Sequence, residues 1–237
     1  MSWLTQVNLD HAAVARRQLR DTYDWHQAAW QCFPGRPTDK RDFLTRLDQS
    51  PQGFRLLIVS PQTATRPEWC PPETWQSREI PEGYFGRKCY AFQLRANPTK
   101  KIIDPDRPKT VSPDGRINRN KNARRVALRQ PADLVAWLER KAAAGGFAVE
   151  TDSLRVVPEG QEHFNRGRQH GAHASVEFRG TLRVTDPAAF HQTFQTGLGS
   201  GKAFGFGLLV IAPLVSGRIK LTHLGSLQTD PPFAALF

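Results

Sequence analysis

The stretch GLGSGKAFGFGLL (residues 197–209) contains five glycines and one lysine, and it joins two elements of different character. The residues before it, DPAAFHQTFQTG, have the pattern of a helix, and those after it, FGFGLLVIAPL, have that of an apolar strand. This order is the reverse of the dinucleotide-binding fingerprint, in which a strand precedes the glycines. A Walker phosphate loop is excluded too, because Thr196 and Ala203 stand where it requires Gly and Ser or Thr.

Two interpretations of the glycine-rich loop remain open. Glycine loses much conformational entropy on folding, so a cluster of glycines indicates a backbone that bends sharply or is closely approached. The loop either only terminates the preceding helix, or it also bends around a ligand with Lys202 at its centre.

The remaining sequence predicts an alternation of strands and helices that occurs twice. In the first half, strands are expected at SWLTQVNL, FRLLIVSP, TWQSREIP and CYAFQLRANP, with a short helix at DKRDFLTRLDQ (residues 39–49). In the second half, RRVALRQ predicts a strand and PADLVAWLERKAAAGG a helix; FAVETDSLRVVP and ASVEFRGTLRVTD predict strands around a loop at 159–172. We therefore predict an α+β fold of two tandem ferredoxin-like βαββαβ modules, residues 1–95 and 96–215, followed by a tail at 216–237.

A long helix is predicted from about His11 to Phe33. Asp10 is a suitable N-cap, and Pro34-Gly35 ends the helical pattern. Five side chains recur at a spacing of three or four residues and share one face: Leu19, Tyr23, His26, Trp30 and Phe33.

The charge of the chain favours a polyanionic partner. Its 237 residues include 33 Lys or Arg against 22 Asp or Glu, which gives a net charge of +11 and predicts binding to nucleic acid or an anionic surface. No signal peptide and no membrane-spanning apolar run is apparent in the sequence. The three cysteines lack metal-ligand spacing, and we expect them to be buried thiols of a cytoplasmic protein.

Much of the excess positive charge falls between the two predicted modules. Residues 95–129 hold eleven Lys or Arg and three Asp, a net charge of +8. A second basic group, HFNRGRQHGAH (residues 163–173), is expected at a hairpin tip. Each of these segments is either a solvated polar surface or a contact for the phosphates of a nucleic acid.

Several segments together resemble the CasE family, the endoribonucleases that process precursor CRISPR RNA within the Cascade complex. The resemblance is carried by DTYDWHQAAWQCFPGRP with RDFL, by FQLRANPTK, by VAWLERKAAAGGF, and by GLGSGKAFGFGLLVIAPL. It extends from about residue 1 to 214. It implies two RRM-like modules, CRISPR repeat hairpin RNA and other Cascade subunits as partners, no membrane, and no metal or other cofactor.

The resemblance also implies the chemistry. The 2′-hydroxyl upstream of the scissile phosphate attacks it, which requires a proton acceptor, a proton donor and positive charge. His26 is similar in position to the catalytic histidine of the family, and Tyr23 to its catalytic tyrosine; whether His26 is the acid or the base stays open. The predicted RNA-binding residues are Arg95, Lys100, Lys101, Arg116, Arg119, Lys121, Arg124, Arg125, Arg166, Arg168, Gly199, Gly201 and Lys202.

Two alternatives to an endoribonuclease remain at this point. The chain is either a non-catalytic RNA-binding module, or a structural ribonucleoprotein subunit that grips a hairpin without turnover. Tyr23 and His26 on one helix face favour the enzyme, because binding alone does not need them. The tail, which ends in PPFAALF, is expected to dock on another subunit or on its own module.

Overall fold

A computed structural model describes residues 1–36, 40–103, 123–166 and 169–214. The strands of this part, in chain order, are β1 (Ser2–Leu9), β2 (Leu44–Ser50), β3 (Gly53–Ser60), β4 (Trp75–Ile80), β5 (Cys89–Ala96), β6 (Thr99–Ile103), β7 (Ala123–Ala127), β8 (Phe147–Val149), β9 (Arg155–Arg166), β10 (Gln169–Val184) and β11 (Leu209–Pro213). The α-helices are α1 (His11–Arg16), α2 (Thr22–Trp30), α3 (Pro131–Ala144) and α4 (Pro187–Thr196).

The strands form two antiparallel sheets and one separate ribbon. The first sheet has the order β2-β3-β1-β4, and the second has the order β11-β5-β10-β8, with β9 also paired to β10. Among the described strands, β6 and β7 pair only with each other. The structure is thus a mixed α and β fold with antiparallel sheets. The predicted tail, residues 216–237, lies outside the described residues.

The two sheets share part of their hydrophobic core. One face of the first sheet packs against α1 and α2, with Val7 and Ile58 in a cluster that includes Trp25. The opposite face contributes Leu4 and Val59 to a larger cluster that also contains β5, β11, α3 and α4. α2 thus packs on the face of the first sheet opposite the shared core, and it also contacts β9 of the second sheet.

The predicted helix from His11 to Phe33 is in fact two helices. Asp10 caps α1 as predicted, since its carboxylate accepts the amide N–H of Ala13 at 2.6 Å. The chain then breaks at Gln18, whose φ is 55°, in the left-handed region that non-glycine residues rarely adopt. Asp21 starts α2 as a second N-cap by accepting from the amides of Tyr23 and Asp24. Leu19 is therefore not on the helix that carries His26.

The predicted short helix at residues 39–49 is wrong, because this segment contains β2. Leu44 pairs with Val59 across the β2–β3 hairpin, and the tight turn places Ser50 opposite Gly53. Gly53 has a φ of 143°, and a Cβ there would lie 2.2 Å from the carbonyl oxygen of Leu9. The conformation of this segment is therefore determined by non-local pairing and burial, and not by its local helical pattern.

The strand Cys89–Ala96, which the sequence predicts in the first module, belongs to the second sheet. β5 pairs with β10 on one side and with β11 on the other. The sheets therefore divide in the segment between β4 and β5, before the predicted boundary at residue 95. RRVALRQ does contain a strand, as predicted, but that strand is β7 of the separate ribbon.

The loop predicted at 159–172 is largely strand. β9 continues to Arg166 and β10 begins at Gln169, so the two strands form a long hairpin whose end, 167–168, lies outside the described residues. The register shifts between Ser175 and Val176, which marks a bulge within the hairpin. The helices predicted from Pro131 and Pro187 are confirmed as α3 and α4.

Candidate active site

The two predicted catalytic residues lie one turn apart on α2. The amide N–H of Tyr23 is held by the Asp21 carboxylate at 2.8 Å, which fixes the first turn. The imidazole of His26 accepts a hydrogen bond at Nε2 from the indole Nε1–H of Trp30, at 3.1 Å. Both side chains are half-buried. The indole bond gives the His26 ring a defined orientation.

The ring of Phe43, which immediately precedes β2, contacts both α2 and a nearby arginine. Its ring lies 6.4 Å from that of His26 and 5.0 Å from that of Trp30. The guanidinium of Arg41 lies over the same ring, 5.8 Å from the centroid, and donates to the carbonyl of Phe43. Burial lowers the pKa of Arg41, and Asp42 partly offsets this effect. An arginine therefore lies one aromatic ring away from His26.

The glycine-rich loop meets the same helix. A 3-10 helix at Lys202–Phe204 contacts both α2 and β2. All five glycines of the loop adopt the left-handed region, with φ between 74° and 86°: Gly197, Gly199, Gly201, Gly205 and Gly207. A Cβ at Gly207 would lie 2.4 Å from the carbonyl oxygen of Leu198. The glycines thus give the loop a path that L-residues disfavour and that brings it to α2.

The contacts of Lys202 bear on both interpretations of the glycine-rich loop. Its ammonium donates to the carbonyl of Thr196 at 2.6 Å, so it caps the C-terminus of α4. Burial lowers the pKa of Lys202, and the neighbouring charges of Arg41 and Lys141 lower it further. The loop is therefore a helix terminator that also brings Lys202 close to Arg41 and to the helix of His26.

The β6–β7 ribbon carries several of the predicted RNA-binding residues. Lys101 lies opposite Arg125 in the register, and both of these side chains are exposed, as is Lys100. Arg125 donates to the Thr99 hydroxyl at 3.2 Å. The same hydroxyl lies 3.5 Å from that of Ser200, so the base of the ribbon adjoins the glycine-rich loop.

Arg95 differs from the other predicted contacts, because its guanidinium is held within the protein. It bonds Glu159 at 2.7 Å and 2.9 Å, donates to the carbonyl of Leu47 and lies 3.7 Å from Asp48. Burial alone would lower the pKa of Arg95, but Glu159 and Asp48 raise it overall. These contacts hold the second sheet against β2, so Arg95 has a structural role.

The remaining predicted contacts are residues at or beyond the limits of the described chain and two glycines of the loop. Arg116, Arg119, Lys121 and Arg168 are outside the described residues. Arg124 and Arg166 belong to β7 and β9, and only their backbone is described. Gly199 and Gly201 lie in the loop itself, which meets the strand end at the Asn97–Ser200 bridge.

Sequence reasoning missed Arg41 and an aromatic cluster beside the loop. His173 stacks on Phe164 at 5.0 Å, and Phe164 stacks on Phe204 at 4.2 Å. Asn97 Nδ2 lies 2.9 Å from His173 Nδ1, and burial lowers the pKa of His173. No local pattern identifies these residues, because they come from three separate elements. Arg41 lies in DKRDFLTRLDQ, where the local pattern predicts a helix and gives no sign of a contact near His26.

The described residues include neither a candidate metal site nor a helix that could span a membrane. In that part of the chain no three His, Cys, Asp or Glu side chains come together as a metal site would require. Nor does any of its helices have the length and apolar character that crossing a membrane demands.

The chain belongs to the family of CRISPR-associated proteins, because the family model described as "CRISPR associated protein" matches its residues 2–213. The chain is 33% identical to the CRISPR system Cascade subunit CasE of Escherichia coli, over 87% of this chain and 99% of that protein. It is 31% identical to the CRISPR-associated endoribonuclease Cse3 of Thermus thermophilus, over 89% and 100% of the two chains.

A solved structure shows the same similarity in three dimensions. The structure of Thermus thermophilus Cse3 bound to an RNA representing a pre-cleavage complex matches with a TM-score of 0.66 and 29% identity. The match covers 90% of this chain and 99% of that one. The family expected from the sequence is therefore confirmed.

Proposed function

We propose that this protein is an endoribonuclease that cleaves CRISPR repeat hairpin RNA and keeps the product as a subunit of a Cascade-type complex. The observation that carries the proposal is the convergence of His26, Arg41 and Lys202, where α2 meets the glycine-rich loop. Phosphodiester transesterification needs a group that transfers protons and positive charge that stabilises the transition state, and these three residues supply both. The names of the two relatives, a Cascade subunit and an endoribonuclease, support the same activity and partner.

The reaction proceeds by attack of a ribose 2′-hydroxyl on the adjacent phosphorus. A bond forms between the 2′-oxygen and phosphorus while the bond from phosphorus to the 5′-oxygen breaks, which leaves a cyclic phosphate and a 5′-hydroxyl. One proton leaves the 2′-hydroxyl and one is given to the departing 5′-oxygen. The atoms balance without a cofactor, and the protein needs only to move protons and to stabilise the additional charge on phosphorus.

His26 performs one of these proton transfers, and Tyr23, one turn away, orients the hydroxyl or shares the transfer. Arg41 and Lys202 face the charge that develops on the phosphate. Positive charge in a partly buried site stabilises such a transition state more than it would in water.

The RNA is held by the β6–β7 ribbon with the segment that connects its strands, and by the β9–β10 hairpin. Lys100, Lys101 and Arg125 supply exposed positive charge on the ribbon. Arg116, Arg119, Lys121, Arg124, Arg166 and Arg168 extend these two surfaces in the sequence. RNA duplexes are recognised mainly through shape and phosphates, which suits such contacts.

The architecture behind these surfaces is two ferredoxin-like modules, divided between β4 and β5. The strand orders β2-β3-β1-β4 and β11-β5-β10-β8 both agree with a βαββαβ unit. In the first unit, a segment with a 3-10 turn at Pro72–Thr74 takes the place of the second helix. Cys32, Cys70 and Cys89 are free thiols, which agrees with a cytoplasmic location.

The test is cleavage of the cognate repeat hairpin, analysed on a denaturing gel, with and without EDTA. His26→Ala should lower the cleavage rate by about 100-fold or more and leave RNA affinity nearly unchanged, as expected for loss of a general acid or base. His11→Ala is the matched control, since His11 is an exposed histidine on the neighbouring helix α1. A substrate with a single 2′-deoxy sugar at the cut should bind and stay intact.

Two results would contradict the proposal. Normal cleavage of the 2′-deoxy substrate would show that another nucleophile attacks the phosphorus. Tight binding of the hairpin by the unaltered protein with no cleavage would identify a non-catalytic RNA-binding subunit.

A further inference from the structure

We propose that Trp30 is a positioning residue that selects the tautomer of His26 and favours its neutral form. The inference deepens the function proposed above and rests on it only for its consequence in catalysis. It is carried by the hydrogen bond of 3.1 Å between the indole Nε1–H of Trp30 and Nε2 of His26.

The direction of this bond follows from the chemistry of the two rings. The indole nitrogen of tryptophan can donate a hydrogen bond but cannot accept one. Nε2 of His26 must therefore present its lone pair, so the ring is neutral and its proton is on Nδ1. A protonated ring carries an N–H at both nitrogens, and the N–H at Nε2 would oppose that of Trp30. Protonation of His26 thus breaks the bond.

The surrounding packing holds the indole in the place that this bond requires. Trp30 lies four residues after His26 on α2, and the two rings meet nearly edge to face, with an interplanar angle of 80°. On its other side, Trp30 packs against Phe43 at a ring distance of 5.0 Å, and Phe43 stacks on Phe33 at 4.7 Å. The donor is therefore fixed by packing and does not depend on a bound ligand.

The consequence concerns the proton that His26 moves in the reaction. If His26 acts as the base through Nε2, it takes up a proton at the cost of the indole bond. If it acts as the acid, its charged form is the one that lacks the bond. In both cases Trp30 lowers the pKa at which His26 changes its charge, so removing the indole N–H moves that pKa upward.

Other ionisable groups near α2 also influence His26, and the experiment holds them constant. Those on β9, on the 3-10 helix Lys202–Phe204, on α2 itself and beside Phe43 are Arg155, Glu159, Glu162, His163, Arg166, Lys202, Tyr23, Asp24 and Arg41. A Trp30→Phe substitution changes none of them, and it keeps an aromatic ring against Phe43. The substitution therefore removes the indole N–H while it leaves these charges in place.

The first measurement is the nitrogen NMR spectrum of the His26 ring in the RNA-free protein, assigned with a His26→Ala variant. The unaltered protein should show neutral His26 with its proton on Nδ1. In Trp30→Phe the tautomer preference should relax, and the pKa should rise by about half a unit to one unit, the equivalent of one ordinary hydrogen bond. Trp69→Phe is the matched control, because the Trp69 indole donates to Gln31 and not to a histidine.

The second measurement is the pH dependence of single-turnover cleavage. The limb assigned to His26 should move to higher pH by the same amount in Trp30→Phe and stay in place in Trp69→Phe. A proton on Nε2 in the unaltered protein would overturn the proposal, even if Trp30→Phe fails to fold. An unchanged pKa in a folded Trp30→Phe would overturn it as well. The NMR result does not depend on RNA cleavage, so failure of the proposed function is detected separately.

Discussion

Arg46 of β2 and Glu177 of β10 form an ion pair between the two sheets, with Nη2 of Arg46 and Oε1 of Glu177 2.6 Å apart. Both side chains are only 3% exposed. Each also has a second charged partner on its own strand, since Arg46 bonds Asp48 at 2.8 Å and Glu177 bonds Arg179. The two sheets are therefore joined by buried charge as well as by the shared hydrophobic core.

Removing one member of this pair should destabilise the protein strongly. Arg46→Met removes the buried guanidinium that pairs with Glu177 and leaves this carboxylate with Arg179, which is 36% exposed, so the free energy of unfolding should fall by roughly 3–5 kcal/mol. Urea denaturation measures the change. The double variant Arg46→Met with Glu177→Leu should recover much of the loss, because no uncompensated charge then remains between these two positions.

The matched control for this experiment is a second pair that involves β10. Arg183 and Glu150 approach to 3.4 Å, but their side chains are 56% and 51% exposed. Arg183→Ala should change the free energy of unfolding by no more than about 1 kcal/mol. Equal effects at Arg46 and Arg183 would contradict the assignment of the Arg46–Glu177 pair as a buried link between the sheets.

Stability should fall in acid because of Asp48. Burial alone would raise the pKa of this carboxyl group, but Arg46, Arg95 and Arg55 together hold it below its usual range. The folded protein thus keeps Asp48 charged where the unfolded chain takes up a proton. Its contribution is complete above the ordinary pKa of about 3.9 and disappears as the pH falls through the lower folded-state pKa.

The measurement is the free energy of unfolding from about pH 6 to about pH 3, the range in which carboxylates take up protons. Asp48→Asn should lower stability at neutral pH and make the acid slope shallower. Asp152→Asn, at an exposed position in the 3-10 turn Thr151–Ser153, should leave the slope unchanged. Parallel slopes in Asp48→Asn and the unaltered protein would rule out this role for Asp48.

The parts of the fold that local signals determine could be predicted from the sequence. Asp10 before α1 and the prolines that open α3 and α4 are local signals, and the structure confirms all three helix starts. β2 could not be predicted this way, because Leu44 becomes part of a strand through pairing with Val59, which lies fifteen residues further along the sequence. The break at Gln18 was also missed, although Asp21 is a second capping signal within the same segment.

The residues of the candidate site also differ in whether the sequence alone predicts that they lie together. His26 and Tyr23 share one helix turn, so their spacing alone places them together. Arg41 joins them only through Phe43 and the β2 pairing, and Lys202 only through the path of the glycine-rich loop. The second group depends on tertiary contacts that no local pattern records. The sequence thus places the two proposed proton-transfer residues together, while the cations near His26 are identified only from the fold.

Gly207 should be one of the least replaceable residues in the loop. Its φ is 86°, and an alanine Cβ would lie 2.4 Å from the carbonyl oxygen of Leu198, which is backbone and cannot rotate away. Gly207→Ala should therefore lower the free energy of unfolding by about 2 kcal/mol or more. It should also slow RNA cleavage, because the displaced loop carries Lys202. Urea denaturation and single-turnover cleavage measure the two effects.

Gly83→Ala is the control for this loop variant. Gly83 lies in the 3-10 helix Glu82–Gly86, and a Cβ there meets nothing within 4 Å. Its stability should stay within about 0.5 kcal/mol of the unaltered protein. A stable and fully active Gly207→Ala variant would show that the left-handed path of the loop is not needed at the site.

The exposed cations of the β6–β7 ribbon should contribute to RNA affinity through phosphate contacts. Lys100, Lys101 and Arg125 are exposed on this ribbon, whose base adjoins the glycine-rich loop. Each phosphate contact contributes about 0.7 to 0.9 to the slope of log affinity against log salt concentration. Replacing all three by alanine should weaken binding of the repeat hairpin and flatten that slope by about 2. Filter binding over a range of salt concentrations measures both quantities.

Arg183→Ala provides the control, because Arg183 pairs with Cys89 at the opposite end of β5 from the ribbon. It should leave the salt slope unchanged. Weaker binding of the triple variant with an unchanged slope would mean that the ribbon acts through its shape, since losing phosphate contacts must also reduce the number of counterions released. Unchanged affinity and slope would identify the three cations as a solvated surface and leave the β9–β10 hairpin as the proposed RNA contact within the described chain.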